Sequence, residues 1–585
     1  MTPGGTARCF VLLAILAGAT PTVLAAEVSD RRLVEADAEP HNWLLPLQNY
    51  SGHRYARLDR INRESVKRLR NAFAVPVTSA LVEGRGPNLE NHALVVDGML
   101  YLDDGWGRIY KIDVRSGVAG RILWTTDGAV SRDERNRTRG LAIHGRTLYH
   151  NLADGRVIAV DAETGEFVFD RQVARTVHPQ GALFNIERET FTAAPLAIDA
   201  GLLVGQSGAD DGTRGWLALL DYARGDEKWR TYTVPGPGEA GHETWKDTHN
   251  AWKTGGAGLW TVGTFDPEQR LTVWGTANAL PAFDPEYRPG DNLFASSALG
   301  IDVDSGRILW HFQYVPNESW DFDEQGVHML IDSPVDGQPR KVAAHFGRNG
   351  FYYQLDRANG AFIGATQYVD AVTWTKGLDP KTGKPIEYDP ALALQIYVPA
   401  TRWARGDRME TVCPSVTGGV RWQPPAYNPV KMIAYSAGHD GCGARQIQPG
   451  GARPLTPQGG LDRDAPGGLF ATLRAKAIDD HGLITAIDVR TQRVIARRIE
   501  PFENTSGILA TAGGVIFTGR RDGALVAYHD ETLEELWSWN GGIAFKAPPI
   551  AYAIDGQEFI AIIAGNTGPP ELNMIEGAML WVFSL

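Results

Sequence analysis

The ten residues IDVDSGRILW, residues 301–310, carry the pattern that decides the fold. Ile301 and Asp302 end one short apolar run, Gly306 marks a tight turn, and Trp310 closes a second run. Two such runs joined by a short polar turn with a glycine are typical of a β-hairpin. The arrangement recurs at irregular spacing along the chain. The other copies contain Ile112-Asp113, Val160-Asp161, Leu220-Asp221, Leu355-Asp356, Ile487-Asp488 and Ala527-Tyr528.

The recurring hairpin predicts an all-β repeat architecture. We expect each copy to form the outer edge of a four-stranded β-sheet. A lone sheet of this kind cannot bury both of its faces, so the sheets must stack into a closed ring, a β-propeller. The visible copies, with degenerate ones added, indicate seven or eight blades.

Composition agrees with this fold class and argues against several functions. A chain of 585 residues could hold about four ordinary domains or one large repeat domain. The 66 glycines and 17 tryptophans favour many short strands with tight turns and aromatic packing between them. The net charge of -12, without a long basic run, argues against nucleic acid or an anionic membrane as the main partner.

The N-terminus has the features of a secretory signal peptide. Arg8 is followed by an apolar run at residues 10–17 and by the small residues Ala25 and Ala26. We expect residues 1–26 to be removed near Ala25 and Ala26. The alternative is an uncleaved membrane anchor. No later stretch is long and apolar enough to span a membrane, so an exported protein without a membrane span is expected.

The cysteines indicate one disulfide. Cys9 leaves with the signal peptide, and Cys413 and Cys442 remain. An even pair in an exported protein favours a disulfide, with two free thiols as the alternative. The sequence contains no Cys-x-x-Cys-His motif, so no covalent haem domain is fused to the chain.

A series of short segments resembles one enzyme family, in order and through nearly the whole mature chain. The segments include Asn88-Leu-Glu90, Thr138-Arg139, Thr192-Ala-Ala-Pro195, Ser207-Gly-Ala-Asp210, Trp260, Gly275-Thr-Ala-Asn278, Asp321-Phe-Asp323, Gly347-Arg348-Asn-Gly350 and Cys413-Pro-Ser. The family is the pyrroloquinoline quinone (PQQ)-dependent methanol and alcohol dehydrogenases. The resemblance implies that residues 27–585 form one eight-bladed propeller of four-stranded antiparallel blades, holding PQQ and one metal ion in the periplasm.

The resemblance also implies which residues bind the cofactor. PQQ is a flat conjugated acid, so its site needs an aromatic platform and cations for its carboxylates. Trp260 would stack on one ring face, and the planar guanidinium of Arg139 would pair with a carboxylate. The hydroxyls of Thr192 and Ser207 would donate hydrogen bonds, and Glu90 would contact the cofactor. The alternatives are core packing for the tryptophan and solvated surface positions for the others.

The metal would take hard oxygen ligands, as Ca²⁺ does. The residues that match the family's ligands are Asp210, Asn278 and Asp321, with an aspartate where the family usually has a glutamate at residue 210. Asp323 matches the aspartate that accompanies lanthanide-dependent members, and on an extended backbone it would face the same way as Asp321. Several negative charges around one cation favour a lanthanide over Ca²⁺. The alternative is that Asp323 turns outward into solvent.

The catalytic roles follow from the same resemblance. Asp321 would take the hydroxyl proton of the alcohol while the carbinol hydride moves to PQQ. Arg348 and the metal would stabilise the developing negative charge on the quinone oxygen. The alternative for Asp321 is a carboxylate at a turn or strand edge.

The sequence also departs from the family pattern. An adjacent cysteine pair that covers one PQQ face in relatives is replaced by Ser-Arg-Asp-Glu at residues 131–134. Arg421, followed by Trp422, stands where the family has an asparagine, and would contact PQQ or narrow the substrate pocket. A tryptophan found in some members is missing around residues 504–507. These departures weaken any expectation that methanol is the substrate.

The expected function is oxidation of an alcohol to an aldehyde, with electrons passed to a separate cytochrome c. The separate acceptor follows from the missing haem motif and from the habit of the family. The oligomeric state is left open, a homodimer included. The alternatives are a PQQ enzyme for sugars, polyols or polymeric alcohols, and a secreted propeller scaffold without catalysis.

Overall fold

The structure is a computed structural model, and it describes residues 1, 27–77, 88–131, 137–174, 189–208, 212–402, 410–447, 472–565, 568–569, 572, 574 and 577–585. The expected cleavage site at Ala25 and Ala26, the predicted metal ligand Asp210 and most of the segment that replaces the cysteine pair lie outside these residues. Among the helices in the described ranges, none has the length and hydrophobicity needed to cross a membrane.

Short helices and many strands make up the described chain. The α-helix α1 spans Asp30–Val34, and 3-10 helices span Ala36–Ala38, Ser65–Arg68, His242–Thr244, Ala251–Thr254 and Pro399–Thr401. The first strands in chain order are β1 (Tyr55–Ala56), β2 (Arg70–Pro76), β3 (Leu94–Val96), β4 (Met99–Asp103), β5 (Arg108–Asp113), β6 (Arg121–Asp127), β7 (Ala142–His144), β8 (Thr147–Asn151), β9 (Arg156–Asp161), β10 (Phe167–Gln172), β11 (Leu196–Ile198) and β12 (Gly201–Gly205). They are followed by β13 (Trp216–Leu220), β14 (Glu227–Tyr232), β15 (Thr264–Asp266), β16 (Leu271–Gly275), β17 (Ser297–Asp302), β18 (Ile308–Gln313), β19 (Met329–Val335), β20 (Gln338–Phe346), β21 (Phe351–Asp356), β22 (Phe362–Gln367) and β23 (Glu410–Val412). The last are β24 (Ala426–Asn428), β25 (Ile433–Ile447), β26 (Thr472–Asp488), β27 (Arg493–Glu500), β28 (Leu509–Thr511), β29 (Val515–Gly519), β30 (Ala524–His529), β31 (Glu535–Asn540), β32 (Ile550–Ile554), β33 (Gln557–Ala564) and β34 (Met579–Ser584).

These strands form eight sheets within the described residues. Five sheets each consist of four consecutive strands paired in order, from β3–β6 through β19–β22. The sixth contains β23, β25, β26 and β27, with β24 also paired to β25, and the seventh contains β28–β31 with β1 at its edge. The predicted all-β fold of four-stranded antiparallel sheets is confirmed, and it is consistent with a β-propeller.

The hairpin quoted from residues 301–310 is formed by β17 and β18, the third and fourth strands of their sheet. The side chain of Asp302 accepts the backbone N–H of Ser305 at 2.7 Å, and the Asp302 carbonyl accepts the N–H of Gly306 at 2.8 Å. Gly306 has a φ of 73°, the left-handed conformation in which a glycine is favoured. All seven predicted hairpins are outer strand pairs of this kind.

In four of the hairpins, the aromatic residue packs on the turn of the next sheet. A Cβ atom on Gly360 would lie 2.5 Å from a ring carbon of Trp310, so the indole lies directly on the turn between β21 and β22. The same relation joins Trp124 with Gly165, Phe169 with Gly225 and Trp229 with Gly306. Consecutive sheets are therefore neighbours that bury each other's faces.

The eighth sheet joins the two ends of the chain. Strand β2 pairs antiparallel with β34, which pairs with β33 and then β32. Its outer strand thus comes from residues 70–76, and its other strands come from residues 550–584. Because these two parts are far apart in sequence, this sheet leaves no hairpin signature of the kind seen at residues 301–310.

The predicted disulfide is confirmed. Cys413, directly after β23, is bonded to Cys442 in β25, with a Cα–Cα distance of 4.3 Å. Thiols at these two positions would be the only ones left in the chain after removal of Cys9, so their pairing leaves no free thiol in residues 27–585.

Candidate functional site

The predicted site residues lie at one end of the first two strands of their sheets. Some precede a first strand, as Glu90 precedes β3, Trp260 precedes β15 and Asp323 precedes β19. Others follow a second strand, as Asn278 follows β16 and Arg348 follows β20. Because these strand pairs are antiparallel, the start of the first strand and the end of the second lie at the same end of the sheet. Side chains from separate sheets can meet there.

Glu90 is the anionic centre of one half of the site. Its side chain is buried, and Arg139 Nη2 lies 2.5 Å from Glu90 Oε2. Lys546 Nζ lies 2.7 Å and Arg137 Nε 3.3 Å from Glu90 Oε1. Burial alone would raise the pKa of Glu90, but the positive charges of Arg139, Lys546 and Arg137 hold that pKa well below its ordinary value. Glu90 is therefore an anion surrounded by cations.

Arg139 connects Glu90 with the predicted aromatic platform. Its guanidinium lies 4.6 Å from the ring centroid of Trp260, and its Nη1 donates to the Trp260 carbonyl at 2.6 Å and to Thr192 Oγ1 at 2.7 Å. Ser207 Oγ accepts the backbone N–H of Thr192 at 3.0 Å. Burial lowers the pKa of Arg139 to about 10, which leaves it charged at neutral pH. The structure thus places these four predicted cofactor residues together.

The predicted catalytic residues are also in contact. Arg348 Nη1 lies 2.6 Å from Asp323 Oδ2, and Arg348 Nη2 lies 3.4 Å from Asp321 Oδ2. Asp323 Oδ1 accepts the backbone N–H of Asn278 at 2.8 Å. The expectation of an extended backbone is wrong at Asp321, whose φ is 68°, but both carboxylates still reach Arg348. Asp323 is 7% exposed, so the alternative in which it turns into solvent does not hold.

Asn278 carries an unmatched acceptor at this cluster. Its side chain is fully buried, its Nδ2 donates to the Ala279 carbonyl at 3.1 Å, and its Oδ1 has no hydrogen-bond donor. A buried polar atom without a partner is uncommon and costly unless an ion or ligand satisfies it. With the carboxylates of Asp321 and Asp323 nearby, this oxygen set suits a hard cation.

Arg421 and Trp422 connect the two halves of the site. The Arg421 guanidinium lies 4.9 Å, and Lys546 Nζ 4.5 Å, from the ring centroid of Trp422, which is 6.4 Å from that of Trp260. Burial and then the charge of Arg348 lower the pKa of Arg421 to about 10, while Asp321 opposes this shift. Arg421 is therefore close to the carboxylate cluster as well. Its Nε is buried without a hydrogen-bond acceptor.

Sequence reasoning missed three contributors to the site. Lys546 and Arg137 pair with Glu90, and Glu324 accepts the backbone N–H of Arg348 at 3.2 Å. Glu324 Oε2 also lies 2.8 Å from His345 Nε2. Burial raises the pKa of Glu324 well above its ordinary value. A usable signal for Lys546 was its position shortly before a strand, which it shares with Glu90.

Comparison with known proteins gives one consistent result. Residues 43–373 match the family model PQQ, described as glucose/ethanol/alcohol dehydrogenase, beta-propeller domain. The quinoprotein alcohol dehydrogenase PedH of Pseudomonas putida is 30% identical over 98% of this chain and 95% of its own length. A quinohemoprotein alcohol dehydrogenase of Comamonas testosteroni is 31% identical over 96% of this chain and 78% of its own length.

Solved structures agree with these relatives. The quinohemoprotein alcohol dehydrogenase ADHIIG of Pseudomonas putida superposes with a TM-score of 0.84 at 28% identity, covering 96% of this chain and 82% of its own. A europium-containing methanol dehydrogenase superposes with a TM-score of 0.81 at 26% identity, covering 95% of this chain and 100% of its own. The similarity therefore extends over the whole fold.

Proposed function

Because the chain belongs to the PQQ-dependent glucose/ethanol/alcohol dehydrogenase β-propeller family, we propose that it oxidises an alcohol to an aldehyde with PQQ and one metal ion. The observation that carries this proposal is the contact of Arg348 with both Asp321 and Asp323 beside the buried acceptor of Asn278. A propeller that served only as a scaffold would have no reason to bury these groups together, since burying charges is costly.

The residues of the site fit a flat polyanion. Trp260 offers an indole face, and Arg139, Arg421 and Lys546 offer positive charge around it. The buried Nε atoms of Arg139 and Arg421 lack hydrogen-bond acceptors, as expected of cations that await an anionic ligand. When bound, PQQ supplies an electrophilic quinone carbon that accepts a hydride. Glu90, Thr192 and Ser207 would orient it through the arginine and through their own polar atoms.

The metal would be held by Asn278 Oδ1 and by the carboxylates of Asp321 and Asp323, with Asp210 as a further proposed ligand. Asp321, Asp323, the proposed ligand Asp210 and one PQQ carboxylate would bring about four negative charges to the ion. This favours a trivalent ion over a divalent one, even though Arg348, Arg421 and Arg445 lie near Asp321. The structural similarity to a europium-containing methanol dehydrogenase supports a lanthanide. A lanthanide is therefore preferred here to Ca²⁺.

Asp321 would act as the general base. Arg348 Nη2 contacts Asp321 Oδ2, and the Asp321 carboxylate held in this way would take the hydroxyl proton of the alcohol. Arg348 is itself fixed, because its Nη1 is bound to Asp323, its Nη2 donates to the Val416 carbonyl, and its backbone N–H donates to Glu324. A fixed guanidinium can stabilise negative charge that develops beside it without reorganising.

The wider setting is proposed on the same basis. The eight sheets, with consecutive contacts and a sheet shared by both chain ends, support an eight-bladed propeller. The disulfide and the apolar N-terminal segment support export to the periplasm. The similarity to a quinohemoprotein alcohol dehydrogenase supports a cytochrome as the electron acceptor, and we propose a separate cytochrome c.

Reconstitution tests the proposed function. The metal-free protein is supplied with PQQ and either La³⁺ or Ca²⁺, and reduction of a redox dye is followed with a panel of alcohols that includes polyols and sugars. We expect turnover with at least one alcohol and loss of that turnover in Asp321→Asn. A correctly folded protein that is silent with both metals would instead favour the scaffold.

A further inference from the structure

We propose that Lys546 is a further cofactor-binding residue, which supplies positive charge directly to a carboxylate of bound PQQ. This inference rests on the proposed function. The resemblance to the family assigns no role to Lys546, and the inference comes from its contacts, its place in its sheet and the local balance of charge.

The contacts place Lys546 inside the cofactor half of the site. Its Nζ bonds Glu90 Oε1 at 2.7 Å and Asn88 Oδ1 at 2.8 Å, and it lies 4.5 Å from the ring centroid of Trp422. The residue is 9% exposed, so most of its side chain is enclosed while a small part still faces open space. The two acceptor oxygens and the aromatic face therefore hold the ammonium group in place.

Its place in the sheet repeats that of predicted cofactor residues. Lys546 stands four residues before β32, which begins at Ile550. Glu90 stands four residues before β3, Thr192 four before β11 and Trp260 four before β15, since these strands begin at residues 94, 196 and 264. Equivalent positions at the entry to a first strand project to the same end of each sheet. Lys546 is therefore the contribution of the last sheet to the shared site.

The charges around Glu90 are unbalanced without a ligand. Among the described residues, three cations, Arg137, Arg139 and Lys546, contact this one carboxylate, for a net charge of 3 − 1 = +2. Arg137 is 39% exposed, so the buried part of this excess comes from Arg139 and Lys546. Arg421 adds another cation at the same indole as Lys546. Excess buried charge is costly unless it is paired, and a ligand with several carboxylates provides the pairing.

The titration behaviour of Lys546 agrees with this geometry. Burial lowers the pKa of Lys546 to about 8, although the charge of Glu90 opposes that shift and the charges of Arg137 and Arg421 add to it. One anion is therefore not enough to stabilise this ammonium group fully. An additional anion beside it would favour its charged form.

Binding of PQQ, rather than turnover, tests the inference. PQQ-free protein loaded with La³⁺ is titrated with PQQ, and quenching of tryptophan fluorescence gives the Kd. We expect Lys546→Met to raise the Kd by about tenfold or more, because a charge-assisted hydrogen bond is lost. Lys546→Arg keeps the charge and should stay within about threefold of the wild type.

Two further variants separate direct contact from other effects. Lys384 is partly buried, bonds the Gln313 carbonyl and lies 4.5 Å from the ring centroid of Phe312, so Lys384→Met is a control outside the site that should leave the Kd unchanged. Glu90→Gln combined with Lys546→Met removes the carboxylate that Lys546 neutralises. We expect Lys546→Met to raise the Kd for PQQ in the Glu90→Gln protein as well, compared with Glu90→Gln alone.

The outcomes are distinct. The inference would be overturned if the Kd for PQQ were unchanged in Lys546→Met, or if adding Glu90→Gln returned the Kd to the wild-type value. Lys546 would then be only a counter-ion of Glu90. Failure of the wild-type protein to bind PQQ with either metal would instead overturn the proposed function.

Discussion

Two contacts of Asp323 place different demands on its carboxyl group. Oδ1 accepts the backbone N–H of Asn278, which an amide oxygen could also do, whereas Oδ2 contributes negative charge beside Arg348 and the proposed metal. We predict that Asp323→Asn lowers La³⁺-supported turnover by at least about tenfold and Ca²⁺-supported turnover by less. The trivalent ion depends more strongly on each carboxylate charge. Dye-reduction rates after reconstitution with PQQ and each metal give the comparison.

The control for this prediction is Asp332→Asn on the nearby strand β19. Asp332 also pairs with an arginine, Arg357, but its side chain is 62% exposed and outside the site. Its replacement should change neither rate. Equal losses with both metals in Asp323→Asn, or no loss, would remove the idea that this residue selects the metal.

His439 predicts a pH dependence of stability. It is buried, its Nε2 is paired with Asp480, and its Nδ1 lies 3.3 Å from Glu503 Oε2. Burial lowers the pKa of His439, but the hydrogen bonds to Asp480 and Glu503 outweigh burial and raise the pKa to about 9. A folded-state pKa above the unfolded value of about 6.5 adds stability that is fully present below pH 6.5 and lost as the pH rises through 9.

We therefore expect the wild-type free energy of unfolding to fall by about 3 kcal/mol between pH 6.5 and 9.5 through this residue. Chemical denaturation at several pH values measures it. His439→Gln should be less stable than the wild type at pH 6.5 and should show a flatter pH profile. A wild-type profile no steeper than that of His439→Gln would show that this histidine is not protonated in the folded protein.

At the residue scale, sequence motifs predicted most of the candidate site but not its charge balance. Arg139, Trp260 and Arg348 each stand in short segments that can be recognised locally, and the structure brings them into one site. No motif assigned a role to Lys546. Its pairing with Glu90 joins positions 456 residues apart, since 546 − 90 = 456, and only the folded chain shows it. A left-handed residue such as Asp321 is likewise invisible in a motif.

At the scale of elements, the hairpin prediction succeeded because its signal is local. In the turns of six of the seven hairpins, an aspartate side chain accepts backbone N–H groups, as Asp161 does from Glu163 and Thr164. In the seventh hairpin, His529 Nδ1 accepts the N–H of Glu531 instead. Such turns are specified by a few adjacent residues. The long strands β25 and β26 were not predicted, because their length depends on pairing with each other over residues 433–488.

The disulfide gives a prediction at this scale. It ties the end of β23 to β25 across 29 residues of sequence. We predict that Cys413→Ala with Cys442→Ala lowers the free energy of unfolding by about 3–4 kcal/mol, because the unfolded chain is no longer constrained. Denaturant unfolding with and without a reductant measures this effect. The reductant should destabilise the wild type and leave the double variant unchanged, and a double variant as stable as the oxidised wild type would contradict the account.

At the scale of the whole molecule, both ends of the chain hold the fold together. Strand β2 pairs with β34 in one sheet, and β1 pairs parallel with β28 in the sheet before it. No local pattern predicts such pairings, because closing a loop of about 500 residues is favourable only after the intervening sheets are in place. This is why the number of visible repeats alone left seven or eight blades open.

Removal of the last strand tests how much this closure contributes to stability. Leu580, Val582 and Phe583 of β34 are fully buried, and at about 2 kcal/mol each their loss should cost about 6 kcal/mol. We predict that a chain ending at residue 578 unfolds at a clearly lower temperature and denaturant concentration, since β2 would lose the strand it pairs with and β33 would lose one of its two partners. A chain that lacks only Leu585, which follows β34 and is 39% exposed, is the matched control and should unfold like the wild type. Tryptophan fluorescence during thermal and denaturant unfolding provides the measurement. Equal stability of the two truncated chains would show that the sheet shared by the two chain ends contributes little to the stability of the fold.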